Sequence, residues 1–169
     1  EENKNFQILL YAYKKLENEN FNLIFLGEGK YKKNLVKIAK INNLKNIYFP
    51  GHVSWEKMVE YYYHADLFIL PGRGGMVISE AMACGLPVLL KDADGTEFDL
   101  VRENKTGFYF NEDNSHELAN KIIEISKDKD MLDKISYNAS KLIRDNYSNK
   151  KYISTIEKAI IKTLNSVKI

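Results

Sequence analysis

Between Pro71 and Glu80 the chain reads Pro-Gly-Arg-Gly-Gly-Met-Val-Ile-Ser-Glu, and these residue types at this spacing suit the chemistry of a nucleotide. Glycines at 72, 74 and 75 free the backbone for positive φ and for close approach of a ligand. The apolar run that follows predicts a helix over roughly Gly75 to Cys84. The uncapped N–H groups at its start and the positive end of its dipole form an anion site suited to phosphate. Arg73 adds a cation within the loop. Glu80 lies one helical turn beyond Met76 on the same face, where a carboxylate can hold a ribose diol. The amides around Gly74, Gly75, Met76 and Val77 are the candidate phosphate donors.

Such a loop works only when a strand delivers it and a helix follows it. Strand-like and helix-like segments alternate along the chain with short connections, the signature of a parallel α/β sheet. Helices are expected over 5–18, 31–43, 55–64 and 75–84, and strands over 21–27, 46–50, 66–70, 87–91 and 106–110. A short turn or helix is expected near 97–102, and three closing helices near 114–127, 129–146 and 148–165. Right-handed crossovers put the loops that follow the strands on one edge of the sheet, where ligands bind in such folds. Gly27 to Gly29, Gly51 to Val53, Pro71 to Gly75 and Asp92 to Thr96 all fall on that edge. The fold class expected is therefore a doubly wound, Rossmann-like parallel sheet forming one domain over 1–169.

Bulk properties remove several other classes. The 169 residues carry 25 basic and 23 acidic side chains, a net charge of +2 that does not suggest nucleic acid as a partner. Only three of the basic residues are arginines, which makes Arg73 in a glycine loop the more notable. No run approaches the roughly 18 apolar residues of a membrane span. One cysteine, Cys84, leaves no internal disulfide, and a reducing cytoplasm is the expected setting. The chain enters a helical pattern (Ile8, Leu9, Ala12, Leu16) with no strand ahead of it, so a fragment of a longer, two-domain enzyme lacking its first strand is expected.

In that order the residues resemble the C-terminal half of a retaining glycosyltransferase of the GT-B fold, from the large family that includes sucrose synthase and bacterial mannosyltransferases. Lys4-Asn5 resembles the end of the family's Arg…Lys-Gly/Asn phosphate motif, and Leu23 to Gly29 its L-x-I-x-G-x-G strand. Asn46 to Val53 is similar to N-V-x-F-x-G-x-V, and Thr106-Gly107-Phe108 to the T-G-x-x strand. Ala65 to Pro71 and Glu80 to Val88 match almost letter for letter. The resemblance implies that Glu80 holds the ribose hydroxyls and that the backbone of Gly51, His52 and Val53 pairs with the base. It also implies that the amides of Gly75, Met76 and Val77 hold the distal phosphate, with Lys4 beside it. The implied donor is a UDP- or GDP-sugar, with no metal and no cofactor. The acceptor, a glycan or lipid-linked molecule of bacterial surface polysaccharide synthesis, would sit on an N-terminal domain, so this chain alone should bind without turnover. No catalytic residue is assigned within it.

The chain also departs from the family. Gly72 stands where most members carry a glutamate that contacts the donor sugar, and the loop from Pro71 to Glu80 is short. Asp99 occupies the acidic place of the Gly-Gly-x-x-Glu loop. These departures leave two alternatives: a non-catalytic nucleotide-binding module, and a nucleotide-sugar 2-epimerase on the same fold. A dehydrogenase is disfavoured because no G-x-G-x-x-G follows a first strand. Asp92-Ala93-Asp94 reads as turn chemistry, so no metal site is assigned. His52 could line the base pocket. His64 is expected to be a packed helix-end residue, and Cys84 a small core residue. Six lysines and no acid over 30–45 read as a solvated helix face, with peripheral contact to an anionic membrane as the functional alternative.

Overall fold

The computed structural model describes residues 5–16, 20–93, 95–110 and 114–166. Helices and parallel strands alternate as expected. They are α1 (Gln7–Tyr13, continued by a 3₁₀ turn over Lys14–Leu16), β1 (Leu23–Leu26), α2 (Lys32–Ile41), β2 (Ile47–Gly51), α3 (Trp55–His64), β3 (Phe68–Leu70) and α4 (Met76–Ala83). Then follow β4 (Val88–Lys91), a 3₁₀ turn over Thr96–Asp99, β5 (Phe108–Phe110), α5 (Ser115–Ser126), α6 (Lys129–Asn146) and α7 (Asn149–Ser166).

The strands hydrogen-bond in two parts, β1 with β2 and β3 with β4 with β5, every pair parallel. The expected sheet is thus divided between β1 and β3, although one core spans the division. Leu23 and Phe25 of β1, Ile69 of β3, Leu89 of β4 and both phenylalanines of β5 pack with α1 and α5 on one face. Phe6 touches all three apolar clusters and meets Phe25 edge-on at 5.9 Å. On the same face, Leu10 of α1 and Leu35 and Ala39 of α2 cover β1 and β2. The other face of β3 and β4 (Leu70, Val88, Leu90) is covered by Tyr62 of α3, Ile78, Ala81 and Met82 of α4, and Ala139 and Ile143 of α6.

This placement of helices explains the direction of winding. With α2 on one face and α4 on the other, right-handed crossovers send β1→β2 and β3→β4 in opposite directions. The reversal falls between β1 and β3, the position at which such folds bind ligands at the carboxyl ends of the strands. Burial differs between the two parts. Val88, Leu89 and Leu90 are fully buried, whereas register partners Ile24 and Tyr48 are 42% and 49% exposed.

Capping fixes several helix starts. Ser54 accepts a hydrogen bond from the Lys57 N–H at 3.3 Å, Asn114 from His116 N–H at 2.8 Å, and Asp128 from Met131 N–H at 2.9 Å. No described helix is long and apolar enough to cross a membrane.

Candidate nucleotide site

β3 ends at Leu70, Pro71 and Gly72 turn inward and are buried, and the chain then surfaces at Arg73. The three loop glycines have separate roles. Only Gly75 adopts positive φ, at +92° with ψ −149°, a region that side chains almost exclude. Gly74 is required by space, because a Cβ there would meet the side chains of Ile78 and Leu70. Gly72 does not take the positive φ that the sequence allowed it.

Gly75 is the N-cap of α4, and no side chain caps that end. The Ile78 N–H is used by the Gly75 carbonyl at 3.2 Å. The amides of Met76 and Val77 precede it in the first turn, where helical geometry projects N–H groups outward. The space beyond Gly75 is open, with nothing within 4 Å of where its Cβ would lie. Met76 turns its side chain to solvent, 78% exposed. The local structure therefore offers main-chain donors and a helix dipole to an anion, with Arg73 exposed beside them.

Glu80 is half-buried one turn along α4. Its charge is felt by the buried Tyr62 of α3. Burial foremost, then the charge of Glu80 and then Cys84, push the Tyr62 phenol up to about 12. Cys84 is half-buried and not a full core residue, and burial, then Glu80, raise its thiol.

At the carboxyl ends of β1 and β2 the loops are joined directly. The Gly27 N–H donates to the Gly51 carbonyl at 2.8 Å, and the register slips between Ile24 and Leu26. Gly51 is buried at φ +87°, and a Cβ on it would strike the Glu28 carboxylate. Glu28 pairs with Lys32 at 2.8 Å. The hydrogen bond from Lys32 is the main cause holding the Glu28 carboxyl below its ordinary value, and the His52 main-chain N–H pulls in the same direction. His52 is exposed and Val53 half-buried at the start of the α3 cap.

The structure thus places Gly51 at the end of β2, His52, Val53, Arg73, Gly74 and Gly75 in the loops after β2 and β3, and Met76, Val77 and Glu80 in α4. Lys4 lies outside the described residues, as does Asp94 of the Asp-x-Asp sequence. His64 departs from expectation: it is exposed, and its Nδ1 contacts the Glu60 carbonyl at 2.7 Å, closing α3 instead of packing. His116 is exposed and contacts Lys15 at 2.7 Å.

Two residues escaped the sequence reading. Glu97, 2% exposed, accepts the Ala93 N–H at 2.6 Å and so braces the loop after β4. Its neighbour Asp99 drew the attention because it sits in the family's acidic place. Glu28 was read only as part of a Gly-x-Gly turn. Its partner four residues on was a legible signal, but its approach to Gly51 was not.

A groove of about 620 Å³ between α2 and β2 is lined by Val36, Leu44, Ile47 and Phe49 with Lys40 and Lys45. It lies at the amino ends of the strands, away from the glycine loop.

The family model described as Glycosyl transferases group 1 matches residues 1–142. The chain belongs to that family. An uncharacterised glycosyltransferase of Methanocaldococcus jannaschii is 28% identical over 131 residues, covering 76% of this chain and 36% of that protein. The alpha-galactosylglucosyldiacylglycerol synthase of Streptococcus pneumoniae is 48% identical over 56 residues, 31% of this chain and 15% of that one. Among solved structures, Anabaena HepE in complex with UDP and glucose superposes with a TM-score of 0.81 at 26% identity, covering 99% of this chain and 46% of that one. This member of the glycosyl transferases group 1 therefore spans about a third of the length of its archaeal relative and less than half of HepE.

Proposed function

We propose that this chain is the donor-nucleotide half of a retaining glycosyltransferase that moves a sugar from a UDP- or GDP-sugar to a glycan or lipid-linked acceptor in bacterial surface polysaccharide synthesis. One observation carries the reading: an uncapped helix start at Gly75, in a glycine-only conformation, with Glu80 one turn further along the same helix. Family membership and the likeness to a protein solved with UDP and glucose support it.

In this reading the amides of Gly75, Met76 and Val77 take the distal phosphate, and Glu80 takes the ribose hydroxyls. The loop from Gly51 to Val53 meets the base. The bond between the sugar and the diphosphate breaks with the electron pair leaving on phosphate. The fixed dipoles of α4 stabilise that charge without a metal ion, as preorganised donors do for developing anions. The acceptor hydroxyl attacks the face the diphosphate leaves, and its proton passes to the departing phosphate oxygen. Gly72 in place of an acidic sugar contact leaves Arg73 as the charged group of the loop next to the sugar.

The test is calorimetric titration with UDP, GDP and ADP, with and without Mg²⁺. The expected result is metal-independent binding of one of the first two, lost in Glu80→Ala. Failure of all three nucleotides to bind would overturn the reading.

A further inference from the structure

The Glu28–Lys32 pair has no part in phosphate or ribose binding as described above. It nonetheless occupies the junction on which base recognition depends. Three contacts converge there. Gly27 N–H bonds the Gly51 carbonyl at 2.8 Å, Lys32 holds the Glu28 carboxylate at 2.8 Å, and that carboxylate lies over Gly51 where a Cβ would meet it. The loop it presses on, Gly51 to Val53, leaves β2 at positive φ and is pinned again three residues on by the Ser54 cap of α3. A loop that reads a base through main-chain atoms gains its selectivity from backbone conformation, because every residue type offers the same N–H and C=O. Something must therefore hold that conformation.

We propose that Glu28, oriented by Lys32, is a positioning residue for base recognition: it fixes the Gly51–Val53 backbone and thereby decides which base the loop accepts. The inference rests on the donor-nucleotide reading above and adds the residue that governs its selectivity. The main-chain groups of His52 and Val53 are those this loop offers to the base. Glu28 does not itself touch the nucleotide.

The test compares the protein with its Glu28→Ala, Glu28→Gln and Lys32→Met variants, titrated with UDP, GDP, ADP and inorganic pyrophosphate. The expected loss in Glu28→Ala is on the order of tenfold for the preferred nucleoside diphosphate, the scale of one hydrogen bond to a charged group. Pyrophosphate affinity should stay within about twofold, and the preference among bases should narrow. Glu28→Gln keeps an acceptor for the loop and should recover part of the preference. Lys32→Met should fall between Glu28→Gln and Glu28→Ala.

Equal weakening toward nucleotide and pyrophosphate in Glu28→Ala and Glu28→Gln would overturn the proposal, because it would mark general damage. An unchanged base preference in both variants would overturn it as well. In either case the donor-site reading would survive, since the unaltered protein would still bind. Absence of nucleotide binding by the unaltered protein would overturn both.

Discussion

The two parts of the sheet solve the same problem by different means. On the β3–β5 side, the proposed phosphate end of the site is built within one stretch of chain, from Leu70 through Gly75 to Glu80, on strands whose residues Val88 to Leu90 are fully buried. On the β1–β2 side, the proposed base end is assembled from segments 24 residues apart, at Gly27 and Gly51, on strands whose outer face shows Ile24 and Tyr48 half-exposed. A helix start carries its own donors and dipole, so it needs only to be delivered by a strand. A base-reading loop has no intrinsic shape and must be held by a neighbour. One side thus rests on burial, and the other on a surface polar pair in the arrangement proposed above.

Substitutions can break this contrast. The largest effect is expected in the buried half: Phe108→Ala, at a fully buried position of β5, should cost about 3–5 kcal/mol in urea unfolding. Phe49→Ala in β2, only half-buried, should cost clearly less. Equal losses would mean that the halves are equally packed.

Next comes Gly75→Ala. Its Cβ meets nothing, so the cost is backbone strain alone, about 1–3 kcal/mol, read as a lower unfolding midpoint and weaker nucleotide binding. Tight binding by this variant would show that the loop tolerates another conformation. Ser54→Ala removes the α3 cap beside the base loop and should cost about 1 kcal/mol of stability.

The smallest effect sharpens the comparison through pH. The Glu28 carboxyl lies below its ordinary 4.5, first because of Lys32, with the His52 N–H and the His52 side chain also favouring the charged form. A depressed carboxylate stabilises the fold above its unfolded value and loses that contribution as pH falls through the folded one. The unfolding midpoints of the protein and Glu28→Gln should therefore differ above about pH 4.5 and converge as pH falls below it. A difference that persists in acid would assign the effect of the substitution to packing instead of charge.

How much of this was legible in the sequence follows the same division. The alternation of elements, the strand before Pro71 and the helix after Gly75 rest on local periodicity and on glycine placement, and they were read correctly to within a few residues. The separate duties of Gly74 and Gly75 were not legible, because one is set by Ile78 and Leu70 packing across the loop and the other by φ. His64 was misread because a histidine beside three tyrosines looks apolar, while in the structure it caps the end of α3 in solvent.

The sequence by itself determined the order of strands and helices, the glycine-led, uncapped start of α4 and the carboxylate of Glu80 one turn along it. Each depends on residues within about ten positions of one another, close enough for propensity and periodicity to specify. Tertiary structure alone decided the division of the sheet between β1 and β3, the burial of Glu97 and Tyr62, and the placement of Glu28 over Gly51. Those depend on which elements meet across the fold, and that follows from how apolar faces pack instead of from any single stretch of chain.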